Sequence, residues 1–190
     1  MKYKVILASA SPRRHELLSG LGIDFEVRVL PNIDESYPEG MTGVEIAQAI
    51  SRKKAQAYRD TLQEGELIIT ADTVVYFDGQ VLGKPTDEED AKRMLRKLSG
   101  RVHQVITGVT LLTQEREHSF VSVSNVTFSP ITEEEIDYYV RHFHPLDKAG
   151  AYGIQEWIGF IGVERIEGSY FNVMGLPVQR LYQELKKIEN

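Results

Sequence analysis

Cysteine is absent from this chain of 190 residues, which excludes disulfides, thiolate metal ligands and a cysteine nucleophile. No apolar run approaches the roughly 20 residues that a membrane-spanning helix needs. The N-terminus turns polar too early for a signal peptide. Basic residues are outnumbered, because 22 lysines and arginines stand against 28 aspartates and glutamates, which gives a net charge of −6. Broad nucleic-acid binding requires a basic stripe, which an acidic chain is poorly suited to provide. We therefore expect a cytoplasmic protein that binds neither membranes nor nucleic acid.

The common phosphate-binding and nucleophile motifs are missing as well, and the five histidines show no metal-ligand spacing. What the chain does have is an interleaving of helix-start signals and apolar runs. Helix starts are indicated by Ser11-Pro12 and by Ser/Thr-x-x-Glu capping boxes at Thr42, Thr86 and Thr132, and a last helix is predicted for 178–188. Strand-like runs are found at residues 4–8, 25–30, 67–71, 74–77, 80–82, 105–112, 121–128, 159–166 and 169–173. This order predicts an α/β fold with a mixed, twisted sheet and flanking helices, as one domain over 1–190.

The first candidate site is the corner between the first strand and the first helix. Ser9 and Ser11 add hydroxyl donors there, and Arg13 and Arg14 add planar cationic groups beside the positive end of the helix dipole. Such a corner suits a polyphosphate or another dense anion. The alternative is an ordinary N-cap at Ser11, followed by solvated arginines.

A second candidate is Asp72, in the middle of the apolar segment 67–77. A carboxylate in a buried strand is costly unless it is paired, binds a metal or borders a cleft. We interpret Asp72 as a functional residue; the alternative is a structural aspartate that accepts hydrogen bonds from backbone amides.

Further charged residues fit a phosphate site. Lys54 is in helical register with Ala47 and Ile50 and is predicted to point inward, where a snorkelling lysine is the alternative. Lys84 lies on a stiff Gly-Lys-Pro turn, which suits a phosphate contact, although this feature alone favours an ordinary surface lysine. Glu35 and its neighbour Asp34 can lie near an anion site only if a divalent cation lies between these carboxylates and the phosphates. The alternative is that both residues belong to a solvated loop.

The segment 147–155 is rich in glycine and alanine and ends at Gln155. Small residues let the backbone close on a flat group such as a base, whose edge a glutamine can read with its paired donor and acceptor. The alternative is a tight connection packed against the sheet.

Taken together, these segments resemble the Maf family of nucleoside triphosphate pyrophosphatases, nearly from end to end. The resemblance rests on these motifs: Ala8-Ser9-x-Ser11-Pro12-Arg13-Arg14-x-Glu16-Leu17-Leu18, Ala71-Asp72-Thr73, Gly83-Lys84-Pro85, Met94-Leu95-Arg96-x-Leu98-Ser99-Gly100, His103-x-Val105-x-Thr107, Asp147-Lys148-Ala149-Gly150-Ala151-Tyr152-Gly153-Ile154-Gln155 and Gly168-Ser169-Tyr170-x-Asn172-Val173-Met174-Gly175-Leu176-Pro177.

The resemblance implies hydrolysis of a nucleoside triphosphate to the monophosphate and pyrophosphate, with a house-cleaning role and an association with septum formation. It implies the elongated α/β fold of inosine triphosphate pyrophosphatases, with two lobes around one central cleft. A divalent cation, Mg²⁺ or Mn²⁺, and a homodimer are also implied. Two alternatives are the sister branch that acts on 7-methyl-GTP, and a regulator that senses a nucleotide without hydrolysing it.

Residue by residue, the resemblance makes Asp72 the catalytic proton acceptor and, with Glu35, a metal ligand. The residues Arg13, Thr73 and Gln155 match the branch that acts on dTTP and UTP, with CTP and modified pyrimidine nucleotides as further candidate substrates. The sister branch has Asp-Gln in place of Asp72-Thr73. The remaining polar positions of the cleft are matched by Ser9, Arg14, Lys54 and Lys84. One departure is Glu156-Trp157, where many members have glycine after the glutamine.

Overall fold

The computed structural model describes residues 2–189. Within them, seven strands form one mixed sheet with flanking helices. The strands are β1 (Lys4–Leu7), β2 (Phe25–Val27), β3 (Glu66–Phe77), β4 (Gln80–Leu82), β5 (Val102–Leu112), β6 (Glu117–Phe128) and β7 (Val163–Glu167). The helices are α1 (Pro12–Ser19), α2 (Gly43–Gln56), α3 (Glu88–Leu98), α4 (Glu133–Phe143), α5 (Trp157–Gly162), α6 (Tyr170–Met174) and α7 (Val178–Glu189). The α/β fold class predicted from the sequence is confirmed.

The strand order is β2-β1-β3-β5-β6-β7, with β4 paired to β3 at one end. Strand β1 runs parallel to both β2 and β3, whereas the β3–β4 and β6–β7 pairs are antiparallel. The parallel pairs require crossover connections, and these are where α1 and α2 lie in the chain. The sheet is therefore mixed.

The chain forms two compact units. The first comprises the described residues up to Asp72, Thr107–Ser122 and the described residues from Gly175 onward. It includes β1, β2, α1, α2 and α7. One of its apolar clusters joins α2 and the segment after it to β1 and β3, through the buried residues Ile6, Ala55, Tyr58, Leu62, Ile68 and Leu112.

The second unit comprises Thr73–Ile106 and Val123–Met174. Helices α3 and α4 bury apolar faces that include Leu95, Leu98, Ile136 and Tyr139. These faces pack against strand residues such as Val126 and Phe128. The predicted arrangement of two lobes around one central cleft stays a prediction.

Several predicted helix signals are confirmed. Thr42 and Glu45 form a reciprocal capping box at the start of α2, and Thr132 and Glu135 do the same for α4. Helix α1 ends at Ser19, just before the expected stop at Gly20. None of the helices within residues 2–189 combines the length and apolarity needed to cross a bilayer.

The predicted capping box at Thr86 is wrong by one residue. Asp87 is the N-cap of α3, and its carboxylate accepts a hydrogen bond of 2.8 Å from the backbone N–H of Asp90. The carboxylate of Asp90 in turn accepts from the backbone N–H of Thr86, at 3.1 Å. Two aspartates thus take the roles that were assigned to Thr86 and Glu89, since a carboxylate is the stronger acceptor for a backbone N–H.

Three strand predictions need correction. Runs 67–71 and 74–77 are one continuous strand, β3. Run 159–166 begins as helix α5, in which a Cβ on Gly159 would lie 1.8 Å from the carbonyl oxygen of Ile154, so that only glycine permits this turn. Run 169–173 overlaps helix α6, whose start is stabilised by a hydrogen bond of 3.3 Å from Asn172 N to Ser169 Oγ. Apolar runs as short as these do not show whether a segment has helical or strand periodicity.

Candidate active site

The corner between β1 and α1 is shaped by the backbone and hydroxyl of Ser9. This serine is buried, its Oγ accepts a hydrogen bond of 3.2 Å from Ser11 N, and its carbonyl accepts from His15 Nε2 at 2.6 Å. Ser11 holds the N-cap position with an extended backbone, yet its side chain makes no capping hydrogen bond. The structure thus has the N-cap at Ser11 followed by Pro12 that the alternative describes, but without the side-chain capping hydrogen bond.

Arg14 projects from the first turn of α1 and is anchored within the same unit. Its Nε donates a hydrogen bond of 2.8 Å to the carbonyl oxygen of Gly175. Burial lowers the pKa of the Arg14 guanidinium, whereas the charges of Asp72 and Glu35 raise it and Arg13 lowers it further. Both arginines and both carboxylates therefore lie close enough to interact electrostatically.

Lys54 is the cation at the centre of this group. Its Nζ lies 2.7 Å from Oδ1 of Asp72 and 3.0 Å from Oε1 of Glu35. The side chains of Lys54 and Asp72 are only 15% and 12% exposed, whereas that of Glu35 is 56% exposed. The inward orientation predicted for Lys54 is confirmed, and Asp72 is paired rather than held by backbone amides alone.

The loop that carries Glu35 is fixed by its neighbour Asp34. The carboxylate of Asp34 accepts hydrogen bonds from Ser36 N (2.9 Å), Ser36 Oγ (2.7 Å) and Lys53 Nζ (3.1 Å). These contacts, with the Ser36 backbone first, lower the pKa of Asp34 to about 2. Asp34 is exposed, as the solvated-loop alternative expects, but Glu35 is directed to Lys54.

Helix α2, which carries Lys54, approaches the sheet very closely. A Cβ on Gly108 of β5 would lie 2.2 Å from the carbonyl oxygen of Ala47 in α2. Next to this contact, Ser51 Oγ lies 3.0 Å from Thr110 Oγ1, and Thr70 Oγ1 donates to Ser51 O at 2.7 Å. Because these contacts are buried, they fix the axial position of α2 and with it the position of Lys54.

In the second unit, Lys84 is exposed, and its side chain has no hydrogen-bond or ion-pair partner among residues 2–189. The turn is tied down by a hydrogen bond of 3.0 Å from Gly150 N to Gly83 O. Gly150 has φ +69°, and a Cβ there would lie 2.8 Å from Cγ2 of Val75. At Gly150 the structure therefore shows the tight connection packed against the sheet.

Gln155, at the end of the same segment, has a side-chain oxygen without a hydrogen-bond partner among the described residues. This atom, Oε1, is buried. Buried side-chain acceptors are almost always satisfied, so an unsatisfied one calls for a donor from outside the chain. Thr73 is half-buried and directly follows Asp72 in β3.

No group of three or more histidine, aspartate or glutamate side chains within residues 2–189 is arranged as a cation site. Asp72 and Glu35 nevertheless converge on a single cationic atom, Lys54 Nζ. Mg²⁺ is commonly held by one or two carboxylates together with waters and substrate phosphate oxygens. This pair of carboxylates fits such a donor set.

Sequence reasoning did not identify every residue that shapes these sites. The carbonyl of Gly175, which holds Arg14, is backbone and leaves no side-chain signal. The partnership of Tyr139, Lys148 and Glu156 beside Gln155 was also missed, because it joins residues on α4 to the segment after it. The one visible clue was the carboxylate of Glu156, directly after Gln155.

Comparison with known proteins places these features in a family. The sequence model of the family described as "Maf-like protein" matches residues 4–188. A protein of Phocaeicola vulgatus is 64% identical over 187 residues, covering 98% of this chain and 97% of the relative, and one of Bacteroides thetaiotaomicron is 61% identical with the same coverage. A Flavobacterium johnsoniae protein is 45% identical, covering 97% and 94%. All three are named dTTP/UTP pyrophosphatase.

Among solved structures, the Ham1 protein of Staphylococcus aureus superposes with a TM-score of 0.54 at 15% identity, covering 98% of this chain and 100% of that one. A HAM1 protein from Coxiella burnetii gives a TM-score of 0.51 at 17% identity, covering 97% and 99%. These two likenesses concern the fold alone. The family match extends over nearly the whole described chain, and the relatives align at almost full length, so the chain belongs to the family of Maf-like proteins.

Proposed function

We propose that this protein is a pyrophosphatase that hydrolyses dTTP and UTP to the nucleoside monophosphate and pyrophosphate. The observation that carries the proposal is the Lys54 ammonium between Asp72 and Glu35, two carboxylates that also interact electrostatically with Arg14. Cations of this kind neutralise phosphates, and a largely buried carboxylate among them can accept a proton. The names of the relatives support the same activity and substrates.

The first unit supplies phosphate-binding groups: Ser9, Arg13, Arg14 and Lys54. Arg14 is held by the Gly175 carbonyl through Nε, which positions its guanidinium at the corner between β1 and α1. Lys54 is poised to exchange a carboxylate partner for a phosphate oxygen. In the second unit, exposed Lys84 adds a further cation.

In the proposed reaction, a water oxygen bonds to the α-phosphorus while the bond from that phosphorus to the α,β-bridging oxygen breaks. Asp72 takes the proton of the attacking water, and pyrophosphate leaves with the bridging oxygen. The cations around Asp72 stabilise the charge that develops on the phosphoryl oxygens. The catalytic contribution of the chain is thus positioning, charge neutralisation and proton acceptance.

We also propose a divalent cation, Mg²⁺ or Mn²⁺, held by Asp72 and Glu35. When bound, such a cation neutralises phosphate charge and lowers the pKa of a coordinated water. Both carboxylates already face one cation, the Lys54 ammonium, which supports their suitability as ligands.

Base selection is assigned to Gln155, with Thr73 and Arg13 as further specificity residues. Uracil and thymine both present an imide N–H between two carbonyl oxygens. The buried, unsatisfied Oε1 of Gln155 can accept a hydrogen bond from this N–H. Neutral cytosine has no proton on that ring nitrogen, so we expect CTP to be a poorer substrate.

The decisive experiment measures pyrophosphate and monophosphate release from dTTP, UTP, CTP and 7-methyl-GTP, with Mg²⁺, with Mn²⁺ and with EDTA. We expect turnover of dTTP and UTP in the presence of metal, and ¹⁸O from labelled water in the monophosphate. Faster turnover of 7-methyl-GTP would assign the chain to the sister branch. Tight nucleotide binding without any product would indicate a sensor instead. The Asp72→Asn variant, purified identically, controls for contaminating activity.

The resemblance further supports a cytoplasmic homodimer. Light scattering on the purified chain tests the dimer, which should have twice the 21.6 kDa mass of one chain. Cell fractionation tests the location. A protein that remains monomeric at all concentrations would contradict the first of these proposals.

A further inference from the structure

Glu156 directly follows Gln155 and is bound on two sides within the second unit. Its Oε1 lies 3.1 Å from Nζ of Lys148, and its Oε2 accepts a hydrogen bond from the hydroxyl of Tyr139. Lys148 is itself buried and also contacts Asp147, at 2.8 Å. The Glu156 side chain is 20% exposed, so its charge is neutralised by a defined partner rather than by bulk water.

The same network closes the turn that contains Gln155. The Tyr139 hydroxyl accepts a hydrogen bond of 3.0 Å from Gly153 N, and Glu156 N donates to Gly153 O, also at 3.0 Å. The Glu156 carboxylate also packs against Gly153, since a Cβ on that glycine would lie 2.8 Å from Cδ of Glu156 and would displace the carboxylate. The backbone on both sides of Gln155 is therefore anchored, through α4 on one side and through the Glu156 carboxylate on the other.

An anchored backbone matters here because of the amide that it carries. The Oε1 of Gln155 is buried without a hydrogen-bond partner among residues 2–189, on a backbone that is anchored on both sides. A hydrogen-bond acceptor that is preorganised before the ligand binds loses less conformational entropy on binding. Recognition then depends on how accurately the acceptor is positioned relative to the ligand. Residues that fix the turn then control how well the amide meets a base.

We propose that Glu156 is a positioning residue that sets pyrimidine selectivity by fixing the Gln155 amide. This inference rests on the proposed function.

Replacing the carboxylate by an amide of the same size tests the idea. In Glu156→Gln, an amide oxygen facing Lys148 leaves the NH₂ group facing Tyr139, whose hydroxyl proton then has no acceptor. The opposite orientation places the NH₂ group against the Lys148 ammonium. Either way one buried contact is lost, while the side-chain volume is kept.

We expect Glu156→Gln to raise the KM for UTP about tenfold, which corresponds to loss of one such contact, with kcat within about twofold of wild type. The matched control is Glu133→Gln, which removes an exposed ion pair with Arg96 in the same unit and should change neither constant. A general loss of structure in Glu156→Gln would instead lower the active fraction and kcat for all substrates, and would overturn the proposal.

A double-mutant cycle identifies the route of the effect. In a Gln155→Ala background, Glu156→Gln should leave the KM for UTP unchanged, because no amide remains to be positioned. An undiminished tenfold effect in that background would overturn the proposal. An unchanged KM in the single Glu156→Gln variant would overturn it as well.

Hydrogen exchange gives a readout that does not depend on turnover. Backbone amides of residues 150–157 should exchange faster in Glu156→Gln than in wild type or Glu133→Gln, since the turn loses an anchor. Unaltered exchange would refute the positioning role even if UTP is hydrolysed. Faster exchange in a protein that hydrolyses no nucleotide would refute the proposed function while leaving the anchoring of the turn standing.

Discussion

The ammonium nitrogen of Lys54 lies 2.7 Å from Oδ1 of Asp72, and both side chains are largely buried. A buried ion pair is costly to form and more costly to break, because removal of one partner leaves an uncompensated charge. Here the pair has a third member, Glu35, on the same nitrogen. A lysine shared by two carboxylates can release one of them to another cation and stay paired, which suits a site that binds a charged substrate.

The first prediction concerns Asp72→Asn. Loss of the proton acceptor should reduce pyrophosphate release by about 10²- to 10⁴-fold. Folding should persist, because the asparagine oxygen still accepts a hydrogen bond from Lys54 and Lys54 keeps Glu35. Steady-state kinetics and thermal unfolding measure the two effects, with Asp60→Asn, an exposed aspartate of the same unit, as control. Wild-type turnover of the Asp72→Asn variant would remove this residue from the mechanism.

The second prediction concerns Lys84→Ala. Since Lys84 is exposed and unpaired within residues 2–189, its loss should leave the free energy of unfolding unchanged. If the lysine contacts phosphate, the KM for UTP should rise about tenfold, as for the loss of one charged contact. Lys186→Ala on α7 removes another exposed lysine and serves as control. Equal KM values in wild type and both variants would make Lys84 an ordinary surface residue.

The third prediction is a pH dependence of stability from His103. This ring is buried beside Phe128 and Tyr152, its Nε2 lies 2.7 Å from the Tyr152 hydroxyl, and burial lowers its pKa to about 4. Below about pH 6.5 the unfolded chain takes up a proton on this histidine that the folded chain refuses until about pH 4. Stability should therefore fall as the pH falls through this window, by about 3 kcal/mol in total.

Urea unfolding at pH 7, 5.5 and 4.5 measures the effect. The His103→Gln variant keeps a polar partner for Tyr152 and cannot take up the proton, so its stability should fall less steeply than that of wild type. His142→Gln, which replaces an exposed histidine of α4, should retain the wild-type slope. Parallel curves for wild type and His103→Gln would show that His103 does not contribute.

The fourth prediction concerns the contact between α2 and the sheet. A methyl group in Gly108→Ala would meet the Ala47 carbonyl at 2.2 Å, so the helix has to move away. Overpacking of this kind typically costs about 1–3 kcal/mol of unfolding free energy. Because α2 carries Lys54, we expect a higher KM for UTP as well. Chemical denaturation and kinetics give both readouts.

The control for that variant is Gly20→Ala, whose added methyl would lie 3.4 Å from the nearest atom, an ordinary contact. It should be close to neutral in both measurements. If Gly108→Ala were equally neutral, the close approach of α2 would not be what positions Lys54.

Much of the architecture follows from local chemistry. The capping boxes at Thr42 and Thr132 were visible in the sequence because the cap and its acidic partner lie within one turn. The inward direction of Lys54 followed from its register with Ala47 and Ile50 on one helix face. That Asp72 is buried followed from the apolar residues on both sides of it. Each of these conclusions depends only on residues close together in the chain.

The tertiary structure decided what short segments and distant partners do. Residues 170–174 form a helix although their apolar run reads equally well as a strand, since five residues carry too little periodicity to choose. The partners of Lys54 come from a loop and from the middle of β3, and those of Glu156 come from α4 and from Lys148. Such contacts arise only when the chain brings remote residues together, so sequence alone supplied the reactive groups and the fold determined which of them meet.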